Sequence, residues 1–541
     1  MPPQSLRRRK TALLALALER TAPVTLQQQL CEQLREIILA GRLPPGARLP
    51  SSRALAAELG CSRNTVVTAF DQLLSEGYLE GQAGSGTYVC RVLPEELLGV
   101  APPAEADSAS SEVSGGTAGP RLAGRAAAIV DLSRRDRDRH RPAPGPAQGP
   151  AQGPAAVPAP NPAQAPGETL RAFLSGPETN DFPFDVWGRL YARIWRRPAD
   201  RLLQLDSAAG MQSLRAAIAG YLRAYRGLQC DWRQVIVTTG AQAAIGLATQ
   251  MLLEPGDAVW IEEPGYVGLR GPLLATGAKL VPVPLDGEGI SVAAGARLAP
   301  KARAAVVTPS HHYPLGTTLT LARRLELLEW AREADAWILE DDYDSEYRYA
   351  GRPLASLQGL AAGRGEAGRV IYVGTFSKVL FPSIRIGYLV VPEALVEPLT
   401  AGQAALGAMP SALVQPVLAG FIEEGYFATH VRRMRRLYAA RQAALVKAVR
   451  THLDDLLTVT PDDAGLHVMA GLKAPLAARL GDQGAARVAA AAGIGVVPLA
   501  NFFHGPATRQ GLMLGYAGVP EDEIDRGARR LGEALRTAMG S

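Results

Sequence analysis

The stretch from Val370 to Tyr388 constrains the fold and chemistry of this chain more than any other segment. Its first residues are apolar and predict a buried strand. Small hydrogen-bonding residues follow, then a lysine and an arginine: Gly374, Thr375, Ser377, Lys378 and Arg385. Burial disfavours the charged form of an amine, so a lysine with such neighbours loses its proton more readily than one in water. The pattern therefore predicts a reactive lysine rather than a surface charge.

Two kinds of chemistry follow from these residues. Lys378 is suited to form a Schiff base with an aldehyde. Thr375, Ser377 and Arg385 are suited to hold an anion beside it, most simply a phosphate. An aldehyde that also carries a phosphate is pyridoxal 5′-phosphate (PLP), which we therefore expect as the cofactor.

The amino-acid sequence of this stretch resembles a segment known from a protein family. Gly-Thr-Phe-Ser-Lys followed by Pro-Ser-Ile-Arg-Ile-Gly-Tyr is similar to the PLP-lysine segment of fold-type I aminotransferases. It looks most like the MocR-type regulators, which join a GntR-type DNA-binding domain to an aminotransferase-like domain. The resemblance implies a PLP-binding α/β domain preceded by a small winged helix-turn-helix domain.

Length and composition predict at least two domains. The chain has 541 residues, of which 47% are hydrophobic, so it can build more than one core. The net charge of +5 is compatible with nucleic-acid binding but does not establish it.

Neither a secreted nor a membrane-spanning protein is predicted. The four cysteines are scattered and form no Cys-x-x-Cys pair, which disfavours a disulfide framework or a metal site and fits a reducing cytoplasm. No apolar stretch is long enough to span a membrane. A basic run and a short apolar run open the chain without a cleavage site, so we interpret residues 1–22 as a helical or disordered lead-in.

Residues 23–91 begin with three predicted helices. Thr25 can cap the first helix, whose apolar residues recur at helical spacing. Gly60 ends a short second helix. Ser62 can cap a third that runs from Arg63 to about Ser75. Two short helices joined by a tight turn predict a helix-turn-helix.

A β-hairpin, or wing, is predicted after these helices. Residues 78–80 and 87–89 are the expected strands, on either side of Gly84-Ser85-Gly86. The segments Arg-Leu-Pro-Ser-Ser-Arg, Ser-Arg-Asn-Thr-Val and Gly-Ser-Gly-Thr-Tyr-Val together resemble the GntR-type winged helix-turn-helix.

The geometry of such a domain indicates which groups would contact DNA. The N-terminal end of the third helix enters the major groove, and its side chains suit guanine, adenine and phosphate. The start of the second helix would bind backbone phosphates, and the wing would approach the minor groove. The candidate DNA-binding residues are Arg48, Ser51, Arg53, Ser62, Arg63, Asn64, Thr65, Gly84 and Ser85. For Arg53, an ordinary exposed arginine at a helix start is the alternative.

Residues 92–168 are rich in Ala, Pro and Gly and predict a flexible linker. Such a composition cannot bury a core and is typical of a semi-extended tether. The arginines between residues 134 and 141 are more simply a solvated charge run than a DNA contact. A long tether would let the DNA-binding domain move relative to the second domain.

Residues 169–541 predict an α/β domain with a mostly parallel sheet, because helices and strands alternate. The predicted pairs of helix and following strand are Leu214–Tyr225 with Val235–Thr238, Ala241–Leu253 with Ala258–Ile261, and Ala322–Glu333 with Ala336–Leu339. Ligands of such sheets bind at the carboxyl ends of the strands, where the motifs below are placed.

Two strand ends supply candidate groups for a phosphate and a ring. Gly240, Ala241 and Gln242 open a helix, and backbone N–H groups there could cradle a phosphate, although an ordinary strand–helix turn would look the same. The resemblance implies that Tyr266 lies flat on the pyridine ring of PLP. A packed loop tyrosine is the alternative.

An acidic cluster ends a very hydrophobic strand. Neighbouring carboxylates raise one another's pKa unless a cation neutralises one, and a protonated pyridine nitrogen is such a cation. The resemblance implies that Asp341 takes this role, with Asp342 as the alternative, and that Tyr343 hydrogen-bonds the ring hydroxyl. Asp344 and Glu346 are expected to face solvent.

Two positions depart from the aminotransferase pattern. Tyr313 precedes Pro314 where many aminotransferases have an asparagine that contacts the ring hydroxyl, and His311 is expected to take over that contact. Amino-acid-sensing relatives are expected to have a carboxylate-binding arginine near Asn501, and here Arg509 is a candidate substitute whose position the sequence does not fix. The first departure disfavours efficient transamination, and the second disfavours an amino-acid substrate.

The resemblance implies a cytoplasmic homodimeric transcriptional regulator that carries PLP on Lys378. Its partner would be a double-stranded DNA operator with repeated half-sites. A PdxR-like regulator would sense PLP and control vitamin B6 synthesis, and the missing arginine favours this version. A GabR-like regulator would need an amine or amino acid as well. The remaining alternatives are an active PLP-dependent aminotransferase with an attached DNA-binding domain, and a DNA-binding protein with a cofactor-free scaffold.

Overall fold

The computed structural model describes residues 16–19, 24–82, 86–90, 123–140, 173, 176–196, 207–349, 355–364 and 367–540. It divides into two compact units, Met1–Ala118 and Gly119–Ser541. Within the described ranges, none of the helices has the length and apolar character needed to cross a membrane.

The N-terminal unit contains three helices and a hairpin: α1 (Leu26–Leu39), α2 (Ser52–Leu59), α3 (Arg63–Ser75), β1 (Leu79–Gln82) and β2 (Gly86–Val89). The predicted caps are confirmed. Thr25 forms a capping box with Gln28 at the start of α1, and Ser62 accepts a hydrogen bond from the Thr65 backbone N–H at the start of α3. Gly60 ends α2 in the left-handed conformation. The two strands pair antiparallel, as expected for a wing.

The core of this unit extends further towards the N-terminus than the predicted boundary at residue 23. Leu16 is buried and packs with the apolar residues of the three helices. Gln33 of α1 exchanges two hydrogen bonds with the Ala17 backbone, at 3.0 and 2.7 Å. Residues 16–19 therefore pack on the helix-turn-helix instead of leading into it. The rest of the predicted lead-in lies outside the described residues.

Part of the predicted linker is helical. Helix α4 (Gly124–His140) lies within the segment that we interpreted as a flexible tether, and it packs against a helix of the C-terminal unit. The local sequence explains why this stretch is helical. Residues 124–140 are rich in alanine and arginine, which have high helix propensity, and they contain no proline. The tether interpretation is wrong for this stretch and stays a prediction for the remainder.

The C-terminal unit is the larger one. After α4, its helices are α5 (Phe184–Arg196), α6 (Gln212–Arg226), α7 (Ala241–Leu252), α8 (Arg270–Ala275), α9 (Val292–Leu298), α10 (Leu321–Glu333), α11 (Leu357–Gly363), α12 (Glu393–Ala405), α13 (Gln415–Glu423), α14 (Tyr426–His452), α15 (Ala474–Arg479), α16 (Gly481–Ala491) and α17 (Glu521–Gly540). Its strands are β3 (Val235–Thr238), β4 (Ala258–Glu263), β5 (Lys279–Asp286), β6 (Gly289–Ile290), β7 (Ala304–Val307), β8 (Trp337–Asp342), β9 (Val370–Thr375), β10 (Gly387–Val390), β11 (Leu457–Val459), β12 (His467–Leu472), β13 (Val497–Pro498) and β14 (Gly511–Gly515).

An eight-stranded sheet organises this unit, in the order β3-β10-β9-β8-β7-β4-β5-β6. Strands β5, β4, β7, β8 and β9 run parallel, while β10 is antiparallel to both of its neighbours and β6 is antiparallel to β5. The predicted mostly parallel α/β sheet is confirmed. Since β10 runs in the opposite direction, its first residues lie at the same edge as the carboxyl ends of β3 and β9.

A smaller antiparallel sheet follows, in the order β11-β12-β14-β13, and helices α14 and α17 pack against each other beside it. The last part of this sheet is short. Only Val497–Pro498 pairs with β14, and Leu499–Phe502 forms a 3₁₀ turn. This turn carries Asn501 away from the sheet ladder.

Candidate functional site

Three consecutive acidic residues at the end of β8 have different partners. Glu340 accepts hydrogen bonds from the backbone N–H groups of Leu357 and Gln358 at the start of α11, at 2.8 and 3.0 Å. Asp342 forms a buried ion pair with Arg226, with 2.7 Å between Nη2 and Oδ2. Asp341, between them, is buried. Among the described residues, Oδ1 of Asp341 and Oδ1 of Asp342 both lack a hydrogen-bond partner, but Asp342 is already paired with Arg226 through Oδ2. Asp341 is thus the acid of this row that is left for a ligand.

The burial and the raised pKa of Asp341 suit a cationic ligand. Burial, with added repulsion from Asp342 and Asp344, raises the pKa of Asp341 to about 7, while Lys378 acts in the opposite direction. A positively charged ring nitrogen placed there would supply the partner that the carboxylate lacks. Asp342, the alternative from sequence, already has Arg226, and Ser345 donates a further hydrogen bond to it at 2.8 Å.

Lys378 lies just beyond the carboxyl end of β9. Burial lowers the pKa of its amine, which Asp344 and Asp341 partly counteract. The two preceding hydroxyls differ. Thr375 accepts a hydrogen bond from the Ser377 backbone N–H at 3.2 Å, whereas the buried Ser377 Oγ has no partner among the described residues. A partly desolvated amine next to an unsatisfied hydroxyl suits a nucleophile beside an anion.

The start of α7 and the start of β10 form a cradle. Gly240 is the N-cap residue of α7 and has a φ of 126°, which favours glycine. A Cβ built on Gly240 would lie 3.6 Å from the Arg385 guanidinium, so the arginine lies directly over the first turn of the helix. A Cβ on Gly387 would come within 2.9 Å of the Ala241 backbone nitrogen. A helix N-terminus and a guanidinium that face the same space fit a phosphate.

An aromatic group lies between the strand ends and the small sheet. Tyr313 makes edge contacts with Tyr266 at 5.5 Å, Tyr343 at 5.8 Å and Phe502 at 5.4 Å between ring centroids. Gln242 donates a hydrogen bond to the Tyr266 hydroxyl at 3.4 Å, which ties this group to the first turn of α7. The predicted residues Tyr266, Gln242 and Tyr343 therefore belong to one neighbourhood.

His311 lies between two carboxylates. Its Nδ1 is 3.0 Å from Asp344 Oδ2 and 3.1 Å from the Tyr343 hydroxyl, and its Nε2 is 3.1 Å from Asp462 Oδ2. Burial alone would lower the pKa of the imidazole, but the two carboxylates raise it to about 10. The two carboxylates therefore favour the charged imidazole, and His311 contacts Tyr343, the tyrosine that was predicted to reach the ring hydroxyl. A Cβ on Gly465 would collide with this imidazole, so the loop before β12 packs tightly against it.

Two predictions of solvent exposure are wrong. Asp344 is buried because it pairs with His311, and Glu346 is buried and accepts a hydrogen bond from the Tyr221 hydroxyl at 3.0 Å. Burial, with repulsion from Asp342, raises the pKa of Glu346 to about 7. Sequence reasoning also missed Arg226 and Asp462. The excess of acids after β8 was the available signal that a buried arginine must lie nearby.

Neither Asn501 nor Arg509 provides a buried arginine that could bind a substrate carboxylate. Asn501 is buried, and its Oδ1 accepts a hydrogen bond from Gln483 at 3.2 Å. Arg509 is exposed on the segment before β14.

The candidate DNA-contacting surface is built from helix starts. Arg53, Arg63 and Asn64 are exposed, and Thr65 is half-buried. The hydroxyls of Ser51 and Ser62 accept backbone N–H groups at the starts of α2 and α3, at 3.3 and 3.1 Å. The Ser51 hydroxyl keeps a hydrogen to donate, so capping does not prevent a phosphate contact there, whereas the Ser62 hydroxyl also shares a hydrogen bond of 2.8 Å with the Thr65 hydroxyl.

One further candidate DNA-binding residue lies beside the wing. Arg48 lies against it, since a Cβ on Gly86 would be 3.1 Å from the Arg48 Nε. The predicted wing residues Gly84 and Ser85 lie outside the described residues.

Comparison with protein families matches both units. The profile of bacterial regulatory proteins of the gntR family matches residues 26–89. The profile of class I and II aminotransferases matches residues 196–531, more than half of the chain.

Comparison with whole proteins matches transcriptional regulators along nearly the full chain. The chain is 43% identical over 523 residues to the probable rhizopine catabolism regulatory protein MocR of Rhizobium meliloti, covering 96% of each. It is 31% identical to the pyridoxine biosynthesis transcriptional regulator PdxR of Corynebacterium glutamicum, covering 94% of this chain and 96% of that protein.

A solved relative carries a cofactor derivative. The α-aminoadipate aminotransferase LysN of Thermus thermophilus, crystallised with N-(5′-phosphopyridoxyl)-L-leucine, superposes with a TM-score of 0.63 at 27% identity, over 69% of this chain and 93% of that protein. The chain therefore belongs to the MocR-type transcriptional regulators, in which a GntR-type DNA-binding domain precedes a class I and II aminotransferase domain whose cofactor is PLP.

Proposed function

We propose that this regulator senses PLP itself and controls vitamin B6 synthesis through a change in DNA binding. The observation that carries the cofactor part is the buried, unpartnered Oδ1 of Asp341, on the strand next to the one that leads to Lys378. A carboxylate in that state is stabilised by a cationic ligand, and the PLP ring nitrogen is one.

In this proposal, each part of PLP would have a partner among the described residues. The phosphate would be held by Gly240, Ala241 and Gln242 at the start of α7, with the Arg385 guanidinium beside them. Thr375 and Ser377 would add hydroxyl groups, of which that of Ser377 is unsatisfied.

The ring and aldehyde of PLP would be held by a second set of residues. Tyr266 would cover the ring, Asp341 would neutralise its nitrogen, and Tyr343 would reach its hydroxyl. His311 would orient Tyr343 through the 3.1 Å contact. Lys378 would react with the aldehyde. When bound, PLP supplies an electrophilic carbonyl and an electron-withdrawing ring.

The choice of PLP over an amino acid as the signal rests on Asn501 and Arg509. Asn501 is buried and paired with Gln483, and Arg509 is exposed, so neither supplies a buried guanidinium for a carboxylate. The 31% identity to a pyridoxine biosynthesis regulator supports the same choice.

A second candidate function is the sensing of an amino compound together with PLP. The observation that favours it is the higher identity, 43%, to a protein described as a probable regulator of rhizopine catabolism. A catabolic regulator is expected to respond to the compound that is degraded. An active aminotransferase is the third candidate, because Lys378, Asp341 and Tyr343 are all present.

On the DNA side, we propose that the protein acts in the cytoplasm as a homodimer on an operator with repeated half-sites. Arg63, Asn64 and Thr65 would read bases, while Arg48, Ser51, Arg53 and Ser62 would bind phosphates. The exposure of the arginines at the starts of α2 and α3 supports this assignment.

The experiment that tests these functions is a binding titration against the DNA that flanks the gene of this protein. The affinity and the footprint are measured without ligand, with PLP, and with PLP plus a panel of amines and amino acids. A shift with PLP alone supports a PLP sensor. A shift that needs an amine supports the second candidate. No shift, combined with turnover of an amino donor, would replace both by the enzyme.

A further inference from the structure

The linker helix α4 has a defined place on the C-terminal unit. It packs against α8 (Arg270–Ala275). Its half-buried side chains are Ala126, Ala128, Ile129, Val130 and Leu132. Residues 126, 129 and 130 share one helical face because of their spacing, whereas Ala127 and Asp131 are exposed. A face of small and branched apolar residues thus covers the surface of α8.

Helix α8 is attached at its first residues to the candidate cofactor site. The Tyr266 carbonyl accepts a hydrogen bond from the Leu269 backbone N–H at 3.2 Å, directly before α8. The Gly268 carbonyl accepts one from the Gln242 side chain, also at 3.2 Å. Gln242 is in the first turn of α7, where the phosphate of PLP would bind. One short turn therefore links the ring-covering tyrosine, the phosphate cradle and the start of α8.

Two more contacts hold α8 to its surroundings. Arg270 donates a hydrogen bond to the Phe502 carbonyl at 2.6 Å, and Phe502 belongs to the aromatic group around Tyr313. A Cβ on Gly246 of α7 would lie 3.6 Å from the Pro272 side chain, so α7 and α8 are closely packed. Closely packed helices move together, since the core between them is dense. A change at the start of α7 would therefore reach the surface on which α4 lies.

We propose that the surface of α8 is a docking site for the linker helix α4, and that bound PLP strengthens this docking. The inference rests on the proposed binding of PLP. A ligand that binds one arrangement of Tyr266 and Gln242 stabilises that arrangement by mass action. Helix α8 is part of the same arrangement, so α4 would be held more firmly when the site is filled. The occupant of the docking site is a segment of this chain, residues 124–132.

The consequence concerns the length of chain between the DNA-binding unit and its anchor. With α4 docked, residues 91–123 separate Cys90 from the C-terminal unit. With α4 released, the anchor is Phe173, which pairs with Gly515, and residues 91–172 separate it from Cys90. A shorter connection holds a tethered module at a higher effective concentration. PLP would thus control how the DNA-binding unit is presented to the second half-site of an operator.

Hydrogen exchange on the full-length protein, with and without PLP, tests the inference. PLP should slow exchange at residues 124–132 and 267–276 by about threefold or more, because both segments open less often. The double variant Ile129→Gln/Val130→Gln should lose this protection at 124–132 while keeping the visible absorbance of bound PLP. The matched control is Ala127→Gln, on the exposed face of the same helix, and it should behave like the natural protein.

The outcomes separate this inference from the proposed function. If PLP binds and protects residues 241–243 and 266–269 but leaves 124–132 unchanged, the docking control is overturned and PLP binding stands. If no absorbance of bound PLP develops, the proposed PLP binding and the docking inference are both overturned. If the double variant keeps the PLP effect on operator affinity although α4 exchanges freely, the helix is a passive contact and the inference is again overturned.

Discussion

Arg226 and Asp342 form a buried ion pair, with 2.7 Å between Nη2 of the guanidinium and Oδ2 of the carboxylate. Burial would raise the pKa of Asp342, but Arg226 and hydrogen bonds from neighbouring hydroxyls outweigh it and keep the pKa below its usual value. Asp342 therefore stays charged and fixed beside Asp341. The pair decides which of two adjacent aspartates is available to a ligand.

Replacement of Arg226 by methionine should destabilise the C-terminal unit strongly. The charge of Asp342 would remain buried without a partner, which costs about 3–5 kcal/mol. Urea denaturation should show that loss in the free energy of unfolding. The control is Arg193→Met, which removes an exposed ion pair with Glu424 and should change little. Equal losses in the two variants would contradict the role given to the buried pair.

Asp341→Asn should weaken PLP binding while the protein stays folded. The carboxylate makes no hydrogen bond through Oδ1, so its loss removes no contact there. A hydrogen bond to a charged group contributes about 1.5–3 kcal/mol, which corresponds to a loss of about 10- to 100-fold in affinity. An absorbance titration with PLP measures it. Asp463→Asn, an exposed carboxylate paired with Arg348, is the control. An unchanged affinity in Asp341→Asn would remove Asp341 from the site.

Lys378→Ala should abolish the visible absorbance that bound PLP gives, because the amine that reacts with the aldehyde is missing. The control is Lys279→Ala, an exposed lysine at the start of β5 that should leave the absorbance unchanged. Retention of the band in Lys378→Ala would mean that another amine reacts. If the natural protein never develops the band with added PLP, the cofactor proposal fails.

His311 should make the stability of the C-terminal unit depend on pH. Its folded pKa of about 10 is above the 6.5 of an unperturbed histidine. The contribution of the charged imidazole is therefore fully present below pH 6.5 and is lost as the pH rises towards 10. The difference in unfolding free energy between the natural protein and His311→Asn should shrink over that range. The exposed His504 gives the control variant, and an equal narrowing in His504→Asn would refute the assignment.

Arg63→Ala should relax operator choice, because this exposed side chain lies where a recognition helix meets base edges. The expected loss on the operator is about 1–3 kcal/mol, with a smaller loss on unrelated DNA. Arg53→Ala, which would remove a phosphate contact, should instead weaken binding to all sequences alike and reduce its salt dependence. Competition binding against unrelated DNA separates the two patterns. An unchanged operator preference in Arg63→Ala would show that α3 is not the reading helix.

The secondary structure that the sequence predicts well is the part governed by local chemistry. Helix α3 runs from Arg63 to Ser75 as predicted, because the Ser62 hydroxyl satisfies an N–H group at its start. Strand β3 likewise covers the predicted Val235–Thr238. The wrong interpretation of residues 124–140 has a related cause. The segment 92–168 is rich in Pro and Gly as a whole, and this average composition conceals a proline-free stretch with many helix-forming residues at 124–140.

The two-domain plan and the row of acids at the end of β8 could be predicted from the sequence, as could the candidate lysine and the candidate phosphate-binding segment. These features depend on neighbours within a few positions. Tertiary structure alone decided which acid is free, because Arg226 is 116 residues from Asp342 in the chain. It also decided that Asp344 is buried, since His311 and the Asp462 loop come together only when the small sheet folds over the large one. Burial and charge pairing depend on distances between residues far apart in sequence, and these exist only in the folded chain.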